Sequence, residues 1–261
     1  MKKNFKNNFL IRYCHKFLFF ISLLIKFPFL KHDKELSLYR KKHKGQRCFI
    51  VATGPSLKIE DLKMLKGEIC FSMNSIIKSF DKTDWRPTYY TITDPGVFES
   101  CKDLVKEKYF QKIFYRKGLD DKNKNVCHFS LNIIKYRFCL NSKNFKNKLF
   151  PSKNIKRYFN DGPSVVFSII QLAIYMGFSE IYLLGQDCNY EGNLHSNIAS
   201  VDYKFKPTNV QALSMIDCFE NYSSVLDKYS LKIFNATRGG RLEVFPRVNL
   251  EDIIQPKENS L

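Results

Sequence analysis

The run Cys48-Phe49-Ile50-Val51-Ala52 is apolar and ends abruptly at Thr53-Gly54-Pro55-Ser56, with helix-compatible sequence after it. Residues 47–53 therefore read as a buried strand feeding a tight turn. In an open α/β sheet this is where phosphates bind: at the carboxyl end of a strand, on exposed backbone N–H groups. The turn is not a Walker loop, because no Gly-Lys-Ser/Thr follows. It is not the dinucleotide fingerprint either, because Gly-x-Gly-x-x-Gly is absent. An ordinary strand-to-helix turn has the same local signature.

The rest of the chain repeats the strand-then-helix rhythm. Strand-like runs cover 47–53, 69–73, 88–93, 111–115, 180–185 and 231–235, and helical patterns fall near 59–66, 95–108, 164–177 and 209–229. From Ser164 to Gly177, apolar residues at Val165, Val166, Ile169, Ile170, Ala173 and Ile174 keep helical spacing, and Gly177 is a stop signal. Such alternation predicts an α/β fold: a Rossmann-like three-layer sandwich with a mostly parallel sheet. Residues 116–160 are less regular and rich in Lys and Asn, as an insertion or small lid would be. Residues 186–208 read as a long loop, and loops of that length are commonly functional.

Most of the polar candidates fall just after strand-like runs, so they share one edge of the sheet. Thr53, Gly54, Pro55 and Ser56 come first. Asn74 follows the next run and offers both a donor and an acceptor to a base or ribose, or simply turns the chain. Asp94, before Pro95, suits a helix cap, a ribose hydroxyl, a metal or an acceptor. Asp161-Gly162 opens the long helix in a small-residue turn suited to an anion or a sugar hydroxyl, with Ser164 as a plain cap the simpler reading. Asp187 lies just past the strand ending at Gly185, with Tyr190 close behind. His195, in the long loop, has the pKa range of a general base, although a solvated loop histidine looks the same. Arg238 and Arg241 flank Gly239-Gly240 and suit phosphate or carboxylate binding, or a surface turn.

Composition narrows the partners. Among 261 residues, 43 basic and 25 acidic side chains leave a net charge of +18. That favours anionic partners, although a Lys/Asn/Ile/Phe-rich composition also follows from AT-rich coding. The basic residues are scattered and no nucleic-acid module is visible, so nucleic acid is not an expected partner. The eight cysteines form no Cys-x-x-Cys and no zinc spacing, which points to reduced, structural thiols in a cytoplasmic protein. The N-terminus carries Lys2, Lys3, Lys6, Arg12 and Lys16 ahead of an apolar stretch from Phe17 to Ile25, interrupted by Lys26 and Pro28. Such a stretch is shorter than the roughly 20 residues a membrane span needs. A basic, aromatic segment of this kind suits lying in an anionic membrane surface, as an alternative to packing on the domain. The expected organisation is a membrane-associating segment and linker over 1–44, a transferase domain over 45–255 and a tail over 256–261.

A resemblance joins these pieces. Gly54-Pro55-Ser56-Leu57, Asn74, Trp85-Arg86-Pro87-Thr88-Tyr89-Tyr90, Asp94, Asp161-Gly162, Gly185-x-Asp187 and the run from Asn235 to Phe245 resemble the 6-hydroxymethylpterin diphosphokinase-like domain family, in its bacterial form associated with surface-polysaccharide genes. More remotely, Gly54–Lys58, Asn74 and Ile181–Asp187 are similar to motifs of the glycosyltransferase family 42 sialyltransferases. That similarity implies a CMP-sugar held at the strand ends, with Gly54, Ser56 and Asn74 at the nucleotide. The sialyltransferase catalytic histidine would align near Tyr203 or Lys204, and neither is a histidine. Of that family's two phosphate-binding tyrosines, one has a near match in Tyr190, offset by one residue, and the other falls at about His195.

The resulting expectation is a membrane-associated transferase on the cytoplasmic face of the inner membrane, acting in surface-polysaccharide or lipopolysaccharide synthesis. It would transfer from a nucleotide-sugar, a CMP-sugar being favoured, to a glycan acceptor, with His195, Asp187 and Asp94 as catalytic candidates. A CMP-sugar has one phosphate and requires no metal clamp, and the chain has no Asp-x-Asp motif. One alternative is a pyrophosphokinase acting on a pterin-like alcohol, which needs Mg²⁺ across the ATP phosphates, with Asp94, Asp161 and Asp187 as carboxylates. Another is a non-catalytic nucleotide-binding scaffold. A homo-oligomer is compatible with any of the three.

Overall fold

The computed structural model describes residues 32–132, 150–190 and 208–254. Seven parallel strands form its centre: β1 (Arg47–Val51), β2 (Cys70–Met73), β3 (Tyr89–Ile92), β4 (Lys112–Arg116), β5 (Val126–Phe129), β8 (Glu180–Leu184) and β9 (Lys232–Asn235). Two short strands, β6 (Leu131–Asn132) and β7 (Phe159–Asn160), pair separately. The order across the main sheet is β5-β4-β3-β2-β1-β8-β9. The helices are α1 (His32–Ser37), α2 (Ile59–Met64), α3 (Pro95–Cys101), α4 (Val166–Met176), α5 (Asn209–Ser223) and α6 (Leu250–Ile253).

The central strands are apolar throughout because both faces of the sheet are covered. Alternate β1 residues divide between two cores: Cys48 and Ile50 join Phe71, Tyr89 and the apolar residues of α4 and α5. Phe49 and Val51 join Cys70, Tyr90 and Leu62 of α2 on the other face. Nine of the eleven residues of α4 are buried, and Gly177 ends the helix at φ +83°. That is the left-handed stop its sequence signals.

The stretch 31–46, read from sequence as a linker, is folded onto the domain from residue 32. Leu36 is buried in the α4-side core. The N–H groups of Lys41, His43 and Gly45 donate to the carbonyls of Tyr175, Met176 and Gly177 at 2.9 Å each. These carbonyls lie at or just past the end of α4, where the helix itself supplies no donor, so a short charged segment became a structural cap. Arg40, Lys41, Lys42 and Lys44 face solvent while the backbone beside them caps the helix, a combination that leaves no apolar periodicity.

Two helices are shorter than their patterns. After Cys101 the chain continues as 3₁₀ turns at 102–104 and 107–109, because Lys102, Asp103, Lys106, Glu107 and Lys108 offer no apolar stripe to bury. After Ser223 a 3₁₀ turn over Leu226–Tyr229 replaces the rest of α5. Strands β5 to β7 were hidden inside the irregular-looking stretch 116–160. The N-terminal segment, His195 and most of the 186–208 loop lie outside the described residues. Among the described residues, no helix is long and apolar enough to cross a membrane.

Candidate functional site

The chain runs outward from β1 through β2 to β5, then returns through α4 to β8 on β1's other side. Strand order reverses between β1 and β8, and in doubly wound sheets ligands bind in the crevice beyond that reversal. Its floor is tightly made. Ala52 N–H donates to Leu184 O and Gly54 N–H to Gly185 O, both at 2.9 Å. Gly185 sits at φ +64°, and a Cβ there would stand 3.1 Å from Ala52 O.

Asp187 occupies this crevice. Its carboxylate lies directly on Gly54: a Cβ at position 54 would stand 1.8 Å from Asp187 Oδ2 and 2.4 Å from Gly185 O. Ser56 Oγ donates to Asp187 Oδ2 at 2.9 Å, and the Ser56 backbone N–H also hydrogen-bonds the carboxylate. With only 9% of its surface exposed, Asp187 is desolvated and its pKa is raised, while the two Ser56 bonds pull part of the way back. The loop after β9 closes the far side. Arg241 N–H donates to Asp187 O at 2.8 Å, and a Cβ on Gly240 would stand 2.6 Å from that oxygen. Gln186 N–H donates to Thr237 Oγ1 at 3.1 Å, tying the β8 and β9 ends together.

The sequence candidates distribute as follows. Thr53, Gly54, Pro55 and Ser56 form the half-buried β1 turn. The Gly54 N–H and both Ser56 donors, expected from sequence to face a ligand, are engaged within the chain by Gly185 and Asp187. Asn74 directly follows β2, beside β1, in the left-handed region at φ +52°. The buried Tyr90 holds that conformation by donating its hydroxyl to Asn74 O at 2.5 Å. The Asn74 side-chain amide makes no hydrogen bond with any described residue. A non-glycine residue held at positive φ with an unengaged amide at a strand end is a candidate ligand contact. Tyr190 is half-buried, and its hydroxyl is pushed up to about 12 by burial first, then by nearby Cys188 and Asp187.

Other candidates have structural work. Asp94 is exposed and caps α3, accepting from Val97 N–H at 3.0 Å. Asp161 accepts from Gly162 N–H at 3.0 Å, and Gly162 is required because a Cβ would meet Phe167 at 2.8 Å. Arg238 is occupied by carboxylates of its own chain. It reaches Asp61, the buried third residue of α2, and Glu251, each at 2.6 Å. Asp61 in turn accepts from Lys58 N–H at 2.9 Å, so Arg238 fastens the β9 loop to the helix that follows the Gly54 turn. The Arg241 side chain is exposed.

Sequence reading missed Tyr90, Asp61 and Thr237 as supports of this site. Tyr90 and Thr237 stand within the motifs that carry the family resemblance, but nothing local gave them a supporting role, and Asp61, in the first turn of α2, carried no signal at all. As for the Mg²⁺ alternative, no three His, Cys, Asp or Glu side chains gather to hold a metal ion among the described residues. Asp94, Asp161 and Asp187 therefore do not form the carboxylate cluster expected for it: Asp94 and Asp161 hold neighbouring backbone N–H groups and Asp187 holds Ser56.

The parallel sheet, the order reversal and the crevice between β1 and β8 define a Rossmann-like α/β protein. The 6-hydroxymethylpterin diphosphokinase MptE-like family matches residues 22–193, and the chain belongs to that family. A search of curated proteins found no match. Among solved structures, the MAf glycosyltransferase from Magnetospirillum magneticum AMB-1 is similar, with a TM-score of 0.52 and 15% identity, over 84% of this chain and 38% of that one. The present chain thus spans well under half of that relative. The sialyltransferase CstII from Campylobacter jejuni, solved with cytidine-5'-monophosphate, has a TM-score of 0.36 and 18% identity over 77% of this chain and 84% of that one. At this identity, the likeness to the MAf glycosyltransferase is one of fold.

Proposed function

We propose that the chain is a transferase for a nucleotide-activated sugar, with a CMP-sugar the favoured donor and a bacterial surface glycan as acceptor. The observation that carries this reading is the crevice at the β1–β8 reversal, where the Gly54 turn, Asp187 and the end of β2 come together. The nucleotide would lie over the Thr53–Ser56 turn, with the Asn74 amide reading base or ribose through its donor and acceptor. Asp187, buried and oriented by Ser56, would accept a sugar or ribose hydroxyl rather than touch phosphate, because two anions in one desolvated pocket repel. The departing monophosphate would be met by hydroxyl and N–H donors such as Tyr190. His195 is the proposed base, Asp94 a contact at the crevice rim, and Asp161-Gly162 a hydroxyl contact at the start of α4. The preference for CMP rests on the resemblance of Gly54–Lys58, Asn74 and Ile181–Asp187 to the family 42 sialyltransferases. The basic N-terminus would hold the enzyme at the cytoplasmic membrane face.

The test is incubation with CMP-, UDP- and GDP-sugars while following donor hydrolysis and binding. Turnover of one donor supports the reading, and neither turnover nor binding of any of them overturns it. The family's diphosphokinase description favours a second reading, ATP-dependent pyrophosphoryl transfer to a pterin-like alcohol. It predicts Mg²⁺-dependent ATP binding and AMP release, and calorimetry that detects no ATP binding removes it.

A further inference from the structure

A cavity of about 290 Å³ lies away from the β1–β8 crevice, against the C-terminal half of α4. Its floor includes Ile174 and Tyr175, the two α4 residues that are not buried. Ile174 lies about 12 Å along the helix axis from Val166, at 1.5 Å per residue. Three cations, Arg40, Lys153 and Lys156, line the cavity, and no carboxylate does. None of the three has an ion pair among the described residues. Cations collected around an apolar floor with no counter-charge are a site for an anion that carries an apolar portion.

The surroundings identify the anion's source. Arg40, Lys41, Lys42 and Lys44 are all exposed, in the segment that caps α4, and so extend the positive surface from the cavity rim. The same segment continues in sequence from the basic, aromatic N-terminus, with its Phe17–Ile25 apolar run. A small cavity admits a headgroup, while the surrounding lysines meet the charge of a lipid surface. We propose that this cavity binds the phosphate headgroup of an anionic phospholipid, with Arg40, Lys153 and Lys156 as the phosphate ligands. The α4 C-terminus lies at the amino edge of the sheet, because the helix runs back against the strands. A headgroup there leaves the carboxyl-edge crevice open to soluble nucleotides. The site does not depend on which donor the crevice takes.

Calorimetry on the full chain tests this with monomeric dihexanoyl phosphatidylglycerol, dihexanoyl phosphatidylcholine and glycerol phosphate, each below any micelle concentration. Saturable phosphatidylglycerol binding that weakens with salt is expected, with at least ten-fold weaker phosphatidylcholine and glycerol phosphate binding. The variant Arg40→Gln/Lys153→Gln/Lys156→Gln keeps the N-terminus and is expected to bind phosphatidylglycerol about a hundred-fold more weakly, at about five-fold for each charge removed. Its thermal midpoint and its nucleotide affinity are expected to stay unchanged, which separates this outcome from misfolding and from failure of the transferase reading. Should the variant unfold, single Lys153→Gln and Lys156→Gln chains are each expected to weaken binding several-fold. Wild-type affinity in folded variants overturns the proposal. Equal affinity for phosphatidylcholine overturns it as well, and equal affinity for glycerol phosphate reassigns the cavity to a soluble anion.

Discussion

One methyl group added at Gly54 is expected to break the crevice. The Cβ of Gly54→Ala would stand 1.8 Å from Asp187 Oδ2, 2.8 Å from Asp187 Cγ and 2.4 Å from Gly185 O. Gly54 is not at positive φ, so the substitution carries no backbone penalty and its cost is steric alone. The carboxylate can swing away only by giving up its Ser56 hydrogen bonds, a loss of about 1.5–3 kcal/mol for a charged acceptor. The Gly185 carbonyl cannot swing, because it accepts the Gly54 N–H and follows directly on β8. Separating the two strand ends adds the 1–3 kcal/mol typical of overpacking. The sum is a destabilisation of about 2.5–6 kcal/mol, read as a lower urea midpoint at unchanged slope. Adding Asp187→Ala removes two of the three close contacts and leaves the carbonyl. The double variant is therefore expected to be more stable than the sum of the singles by at least about 1 kcal/mol. A Gly54→Ala protein within about 0.5 kcal/mol of wild type, or strict additivity in the cycle, would refute the packing of Asp187 on this turn.

Asp187 also makes stability depend on pH. A carboxyl whose folded pKa is raised binds its proton more tightly when folded. Its contribution is present below the unfolded value and is lost as pH rises through the raised folded value. Asp187→Asn cannot ionise, so its stability relative to wild type is expected to climb in urea melts as pH rises from the ordinary carboxyl range through the raised folded value, while donor turnover falls. Tyr90→Phe removes the hydroxyl that holds Asn74 at positive φ, at a stability cost of about 1 kcal/mol; calorimetry is expected to show weaker nucleotide binding, whereas unchanged affinity would exclude Asn74 as a contact. Arg238→Ala strips the guanidinium partner from buried Asp61. A loss of about 1–2 kcal/mol is expected, below that of a fully buried pair because the arginine side chain is 39% exposed. Nucleotide affinity changing more than stability would return Arg238 to the ligand.

Local pattern was enough to read the strand starts, the turn at Gly54, the long helix ending at Gly177 and a sheet edge lined with polar residues. Each of these is written in neighbouring residues, through runs of apolar side chains, glycine stops and helix spacing. The strands within 116–160 were not legible, because a short buried strand flanked by lysines and asparagines has no period of its own. Nor was the role of 32–46, whose contribution is backbone N–H groups that any residue type supplies.

The partners of the candidate site belonged to the tertiary structure alone. Ser56 and Asp187 are 131 residues apart and meet because β8 pairs with β1 instead of extending the other edge of the sheet. That pairing decided that the Gly54 and Ser56 donors, which local sequence offered to a phosphate, hold Gly185 and a buried carboxylate. It likewise sent Arg238 to Asp61. Local sequence specifies which groups a strand end presents, but burial beside a distant strand decides which of them remain available, because a desolvated donor or charge must first be satisfied by its own chain.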